Sequence, residues 1–158
     1  MSRSNSGLFR AGKDVPQGIV PMKLHEGQLE TQQVFGLESS MMYAKRTPGY
    51  HSIPHHHDCE QINLCISGRM WIFVEDEGYE LGPGDYLRVP RDAAHWAWNR
   101  GDEEAVLVEV HAPGLQILPD DEVAFLLGSS EAREDVMTAP NHFLPDLDVE
   151  SIERRYSG

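Results

Sequence analysis

Cysteines, basic side chains and long apolar runs are all scarce in this sequence, and each shortage removes a class of protein. Two cysteines in 158 residues supply no framework of spacings for a disulfide scaffold or a zinc module. Cys59 and Cys65 fall in one strand region, so they are expected as reduced thiols of a core or pocket rather than as a bridge. Lysine and arginine together number 13 against 26 aspartates and glutamates. The resulting formal charge of −13 and pI near 4.9 repel phosphate backbones and anionic bilayers, which argues against nucleic acid or membrane as partners. Small molecules remain. No apolar run spans a bilayer, and the opening segment Met1 to Gly7 lacks the apolar centre of a secretion signal, so a cytoplasmic protein is expected. Internal repeats, P-loop spacings and zinc-finger spacings are missing as well.

What the chain does contain is a series of short strand-like runs. They cover Ser40 to Lys45, Gln61 to Ile66, Met70 to Val74, Tyr86 to Val89, His95 to Asn99 and Ala105 to His111. Turn signals separate them, among them Thr47-Pro48-Gly49, Ser67-Gly68 and Gly82-Pro83-Gly84. Regular short strands with Gly/Pro turns predict an all-β barrel or double sheet, and the length suits one core. Residues 1–14 are polar and expected to be mobile, 15–118 form the barrel, and 119–158 are helical and irregular. In the last segment, Asp120-Asp121-Glu122 ahead of an apolar run predicts a short helix that stops at Gly128.

The densest chemical signal is His55-His56-His57, followed by Gln61 and answered by His95. Side chains two apart on a strand share a face, so His55, His57 and Gln61 converge while His56 and Glu60 point away. A neighbouring strand carrying His95 would complete a pocket of three imidazoles and an amide around a divalent cation. The competing reading is that these are ordinary core or surface histidines.

Spacing decides between the two. Gly49, His55, His57, Gln61 and Gly68 match the first motif of the cupin superfamily, with glutamine in the acidic slot. Gly84, Pro90, His95 and Asn99 match the second, with Asp92 in place of an inner glycine. That position calls for a left-handed turn, which aspartate tolerates. Over roughly residues 40 to 112 the chain thus resembles a cupin. The resemblance implies a double-stranded β-helix, or jelly-roll barrel, and a metal held by His55, His57, Gln61 and His95. It also implies a homodimer.

Gln61 shapes the expected chemistry. Three imidazoles and an amide cancel none of the ion's charge, so the metal would attract an anionic, preferably bidentate oxygen ligand. On the strand Ala105 to His111 the valines share one face, and Leu107, Glu109 and His111 share the other. Period-2 logic lets that polar face meet solvent or line a cavity; the resemblance implies the cavity, with Glu109 and His111 as acid and base groups. Tyr43, Tyr86 and Arg88 are further candidates for the pocket lining, with surface packing or ion pairing as the alternative. Trp96 and Trp98 have the opposite parity to His95 and are expected at a sheet interface or a dimer surface.

Three functions follow. Neutral-ligand cupin sites resemble those of dioxygenases, which favours an Fe(II) enzyme cleaving a carbon–carbon bond of an enolisable carbonyl or phenolic substrate. The second reading is a lyase, isomerase or cyclase using Mn, Ni, Zn or Fe as a Lewis acid with Glu109 moving the proton. The third is a metal-stabilised binding protein without turnover.

Overall fold

The computed structural model describes residue 15 and residues 18–19, 24–117 and 136–158. Its strands are β1 (Gly18–Ile19), β2 (Leu24–Glu26), β3 (Leu29–Phe35), β4 (Ser40–Arg46), β5 (His51–Ser52), β6 (His55–His56), β7 (Glu60–Ser67) and β8 (Met70–Val74). They continue with β9 (Glu77–Leu81), β10 (Tyr86–Val89), β11 (His95–Trp98), β12 (Ala105–Ala112), β13 (Gly114–Gln116), β14 (Thr138–Pro140) and β15 (His142–Phe143). One sheet runs β1-β3-β4-β12-β7-β10. In the second, β11 lies between β8 and the short strands β5 and β6, with β9, β2 and β15 extending it. A parallel pair, β13 and β14, stands beside them. The two facing antiparallel sheets are a jelly roll, as the strand spacing predicts.

Alternation accounts for the core. Met42, Ala44, Cys65, Leu107, Met70 and Ile72 come from β4, β7, β12 and β8 and meet between the sheets. Each of the larger side chains among them contributes about 1.5–3 kcal/mol on burial. The turns are set by backbone sterics. Gly68 has φ of 71°, and a Cβ there would fall 2.4 Å from the Glu104 carbonyl oxygen, so only glycine fits. Asp92 adopts φ of 61°, the left-handed turn expected at that departure from the motif. Its amide donates to the His57 carbonyl at 3.0 Å, tying the two motif loops together.

The helix expected from Asp120 to Gly128, and the segment 1–14, lie outside the described residues. A short C-terminal helix is present further on: α1 (Val149–Glu153), capped by Asp148, whose side chain accepts from the Ser151 amide. It lies on the outer face of the second sheet. There Trp96 stacks on Phe73 with ring centroids 5.0 Å apart and donates its indole N–H to Glu153 at 2.8 Å. Trp98 lies beneath the Arg100 guanidinium at 4.3 Å, which also donates to the Glu153 and Tyr156 carbonyls. Trp96 is therefore enclosed by the chain's own C-terminal segment, because α1 brings a carboxylate to the buried indole, and Trp98 packs beside it under Arg100.

Candidate metal centre

His55 on β6 and His95 on β11 are paired in register, and His57 follows in the loop that leads to β7. The imidazoles of all three are buried, and their ligand nitrogens lie within 4.8 Å of one another. Each ring is fixed in the same way. Nδ1 of His55 faces the Ile53 carbonyl at 2.9 Å, that of His57 the Cys59 carbonyl at 3.1 Å, and that of His95 the Ala93 carbonyl at 2.9 Å. Donating the Nδ1 proton to these carbonyls leaves the Nε2 lone pairs turned inward, the arrangement that orients metal-binding histidines.

Electrostatics point the same way. Burial pushes the His55 pKa down to about 4 and holds those of His57 and His95 below the ordinary 6.5, with the neighbouring imidazoles adding to the effect at His95. All three are neutral donors at neutral pH. The Nε2 of His95 is buried without a hydrogen-bond partner, which is costly unless something electrophilic faces it. A divalent ion fits this donor set.

Gln61 on β7 carries its Oε1 to 3.1 Å from His57 Nε2. Its amide nitrogen donates to Asn63 Oδ1 at 2.7 Å, so the amide oxygen is the end turned to the cluster. Glu60 faces outward and pairs with Arg88, as parity requires. On β12, in the same sheet as Gln61, Glu109 is only 3% exposed and His111 fully enclosed. The Glu109 side chain, with those of His55, Gln61 and His95, borders a cavity of about 30 Å³. His111 lies across from Gln61 in the β7–β12 register, with Nε2 3.7 Å from Glu109 Oε2 and its ring centroid 5.7 Å from that of His57. Burial depresses its pKa to about 3. The face of β12 that carries Leu107, Glu109 and His111 is thus buried rather than meeting solvent, and Glu109 is its member on the cavity wall.

Three residues weighed from the sequence as pocket-lining lie elsewhere. Tyr43 and Tyr86 are exposed, and Arg88 forms a surface ion pair with Glu60; all three sit on the outward parity of their strands. The residue that sequence reasoning misses is Arg46. It is 5% exposed, borders the same cavity and pairs through Nη2 with Glu109 Oε1. Its inward parity, shared with Met42 and Ala44, is the available signal, but the strand-like run Ser40 to Lys45 stops one residue short of it. Tyr50, buried beneath the Arg46 guanidinium at 5.3 Å, is missed too. Cys59 and Cys65 are buried free thiols, and burial pushes the Cys59 pKa up to about 12.

Among solved structures, KdgF from Halomonas sp. superposes with a TM-score of 0.57 at 19% identity, over 74% of this chain and 99% of that one. An RmlC-like cupin from Shewanella frigidimarina gives 0.57 at 20% identity, over 75% and 97%. A cupin-superfamily sugar phosphate isomerase from Silicibacter pomeroyi gives 0.49 at 17% identity, over 53% of this chain and 59% of that one. No curated protein matches the sequence. Among the described residues no helix is long and apolar enough to cross a membrane. Residues 42–111 match the family described as "Cupin domain", and that segment contains every candidate ligand.

Proposed function

We propose that the chain is a metal-dependent enzyme that transfers a proton on a small anionic oxygen chelator, as a lyase, isomerase or cyclase. The observation that carries this reading is the Glu109 carboxylate on the wall of the cavity that His55, Gln61 and His95 also border. A divalent ion held by His55, His57, His95 and Gln61 would supply Lewis acidity toward a carbonyl or enolate oxygen. Gln61 adds no charge of its own, so the site favours anionic oxygen. Glu109 is positioned to take a proton from carbon or oxygen beside that carbonyl, and the Arg46 ion pair fixes the carboxylate's direction. His111, held neutral by burial, flanks the other Glu109 oxygen at 3.7 Å.

The neutral donor set favours a second reading, an Fe(II) dioxygenase cleaving a carbon–carbon bond of an enolisable or phenolic substrate. Mn, Ni and Zn suit the first reading as well as Fe does. We place the protein in the cytoplasm as a homodimer; pairing of two copies is supported by the outer face of the first sheet. Met41, Ile62 and Val110 are neighbours in register there and all exposed.

Hydrogen–deuterium exchange at carbon tests the choice. Protein loaded anaerobically with Fe(II), Mn(II), Ni(II) or Zn(II) is incubated in D2O with 2-oxo acids and hydroxyketones, and exchange is followed by NMR. Exchange that Glu109→Gln abolishes while metal is retained supports proton transfer. Oxygen uptake confined to the Fe(II) form would move the dioxygenase to the front. Neither activity in a fully loaded protein would favour a binding domain without turnover.

A further inference from the structure

Arg46 is held by Glu109 and by the Tyr50 side chain beside it, yet not all of its donors are used. Its Nη2 is engaged by Glu109, whereas Nε and Nη1 are buried without any hydrogen-bond partner. Guanidinium nitrogens withdrawn from water and left unpaired are costly, and the cost persists only where something offsets it. The two nitrogens belong to a side chain on the wall of the candidate metal cavity, with His55, Gln61 and His95 on the same wall. Glu109 cannot serve them as well, because Nη2 already holds it and its other oxygen lies toward His111.

We propose that Arg46 binds a carboxylate of the substrate, distinct from the oxygens presented to the histidine cluster, so that the substrate class is a short organic acid carrying a separate oxygen chelating group. The proposal rests on the metal-site reading above and adds to it a second anchor. Arginine suits this role because its charge persists in a buried site. Burial by itself lowers the Arg46 pKa, but Glu109 and Tyr50 beside it together more than offset this and keep the value above the ordinary one. Glu109 fixes the guanidinium on one side, which pre-orders the free donors for an incoming anion and lowers the ordering cost of binding. Such an arrangement would place the substrate's acidic carbon between Arg46 and the histidines, next to the Glu109 carboxylate.

Two hydroxamates separate the anchors. Acetohydroxamate offers only an oxygen chelate, and malonic monohydroxamate offers the same chelate with a carboxylate attached. Both are titrated into Co(II)-loaded protein, binding being read from the visible spectrum of the cobalt. Wild type is expected to bind the carboxylated probe at least tenfold more tightly. Arg46→Lys, which keeps a charge beside Glu109 but removes the Nη1 donors, is expected to lose most of that preference while binding acetohydroxamate as before. Arg46→Met combined with Glu109→Gln, which leaves no unpaired charge, serves as the second variant. Equal binding of the two probes by wild type, or a preference that survives in a folded Arg46 variant, overturns the proposal. Failure of cobalt to load, or of acetohydroxamate to alter its spectrum, would instead overturn the metal-site reading beneath it.

Discussion

Nε2 of His57 and Oε1 of Gln61 lie 3.1 Å apart, two lone-pair atoms facing each other once the Nδ1 proton of His57 is donated to the Cys59 carbonyl. A cation between them resolves the repulsion, and a carboxylate at position 61 would resolve it more strongly. Gln61→Glu is expected to raise metal affinity by about tenfold, equivalent to about 1.4 kcal/mol, and to weaken the binding of anionic chelators. The same change removes the amide donor to Asn63 Oδ1 and sets two acceptors against each other. The metal-free variant should therefore be less stable than wild type by about 1–3 kcal/mol. Calorimetric metal titration and urea unfolding read the two effects separately, and unchanged metal affinity would remove Gln61 from the ligand set.

His95 carries the opposite signature. Its Nε2 has no partner, so His95→Ala removes a buried orphan, which offsets part of the loss of the Nδ1 bond to the Ala93 carbonyl, and the metal-free stability should fall by about 1 kcal/mol. What disappears is the gain from metal. Wild type at a metal concentration about a hundredfold above Kd should gain about 2.7 kcal/mol, seen as a rise in Tm, and the variant should gain almost none. A variant that still gains the wild-type increment would show that His95 is not a ligand.

The pairing of Arg46 with Glu109 makes a third prediction. Both groups are buried, so removing one partner leaves the other charge without compensation. Glu109→Leu is expected to cost about 3–5 kcal/mol, and Arg46→Met combined with Glu109→Leu to recover most of that loss, since an apolar pair of similar volume replaces a buried ion pair at little net cost. Denaturant midpoints for the single and double variants form the cycle. A coupling energy near zero would mean that the two groups are solvated independently.

The outer face of the first sheet bears on assembly. Ile62 and Met41 flank Val110 in adjacent strands, and Tyr86, 71% exposed, extends the apolar surface on β10. Lysine at the centre of such a face opposes burial against a second copy. Ile62→Lys is expected to convert a dimer to a monomer in sedimentation experiments without altering metal content. A monomeric wild type would remove the proposed homodimer.

The histidine cluster is legible in the sequence because motif spacing and the two-residue period of a strand act together, and both are properties of sequence. Parity alone also turns Glu60 outward and sets Leu107, Glu109 and His111 on one face; only the barrel decides that this face is the inner one. Arg46 is not legible. It sits opposite Ala105 in the β4–β12 register and reaches Glu109 further along the same strand, a contact that depends on pairing between segments far apart in sequence. For the tryptophans of β11, parity finds the correct side but not the correct cover. Glu153, which accepts from Trp96 and pairs with His51, lies in a short helix that carries little signal of its own.

Acid should act on this protein through its neutral histidines. Burial, the largest cause in each case, depresses His55 to about 4 and His111 to about 3, and lowers His57 and His95 below 6.5. The unfolded chain takes up these protons near pH 6.5, whereas the folded chain resists them until far lower. Stability is therefore fully present above about pH 6.5 and is lost as the pH falls, until each folded-state pKa is reached. Each fully buried histidine contributes up to about 1.4 kcal/mol per pH unit across its window. Metal-free protein unfolded in urea should lose several kcal/mol between about pH 7.5 and pH 5. His111→Gln should make the decline shallower by close to one proton's worth, because His111 stands outside the three-histidine cluster and its removal leaves those imidazoles in place. A flat profile over that range would mean that the histidines are already charged in the folded state, which would contradict the neutral donor cluster on which metal binding depends.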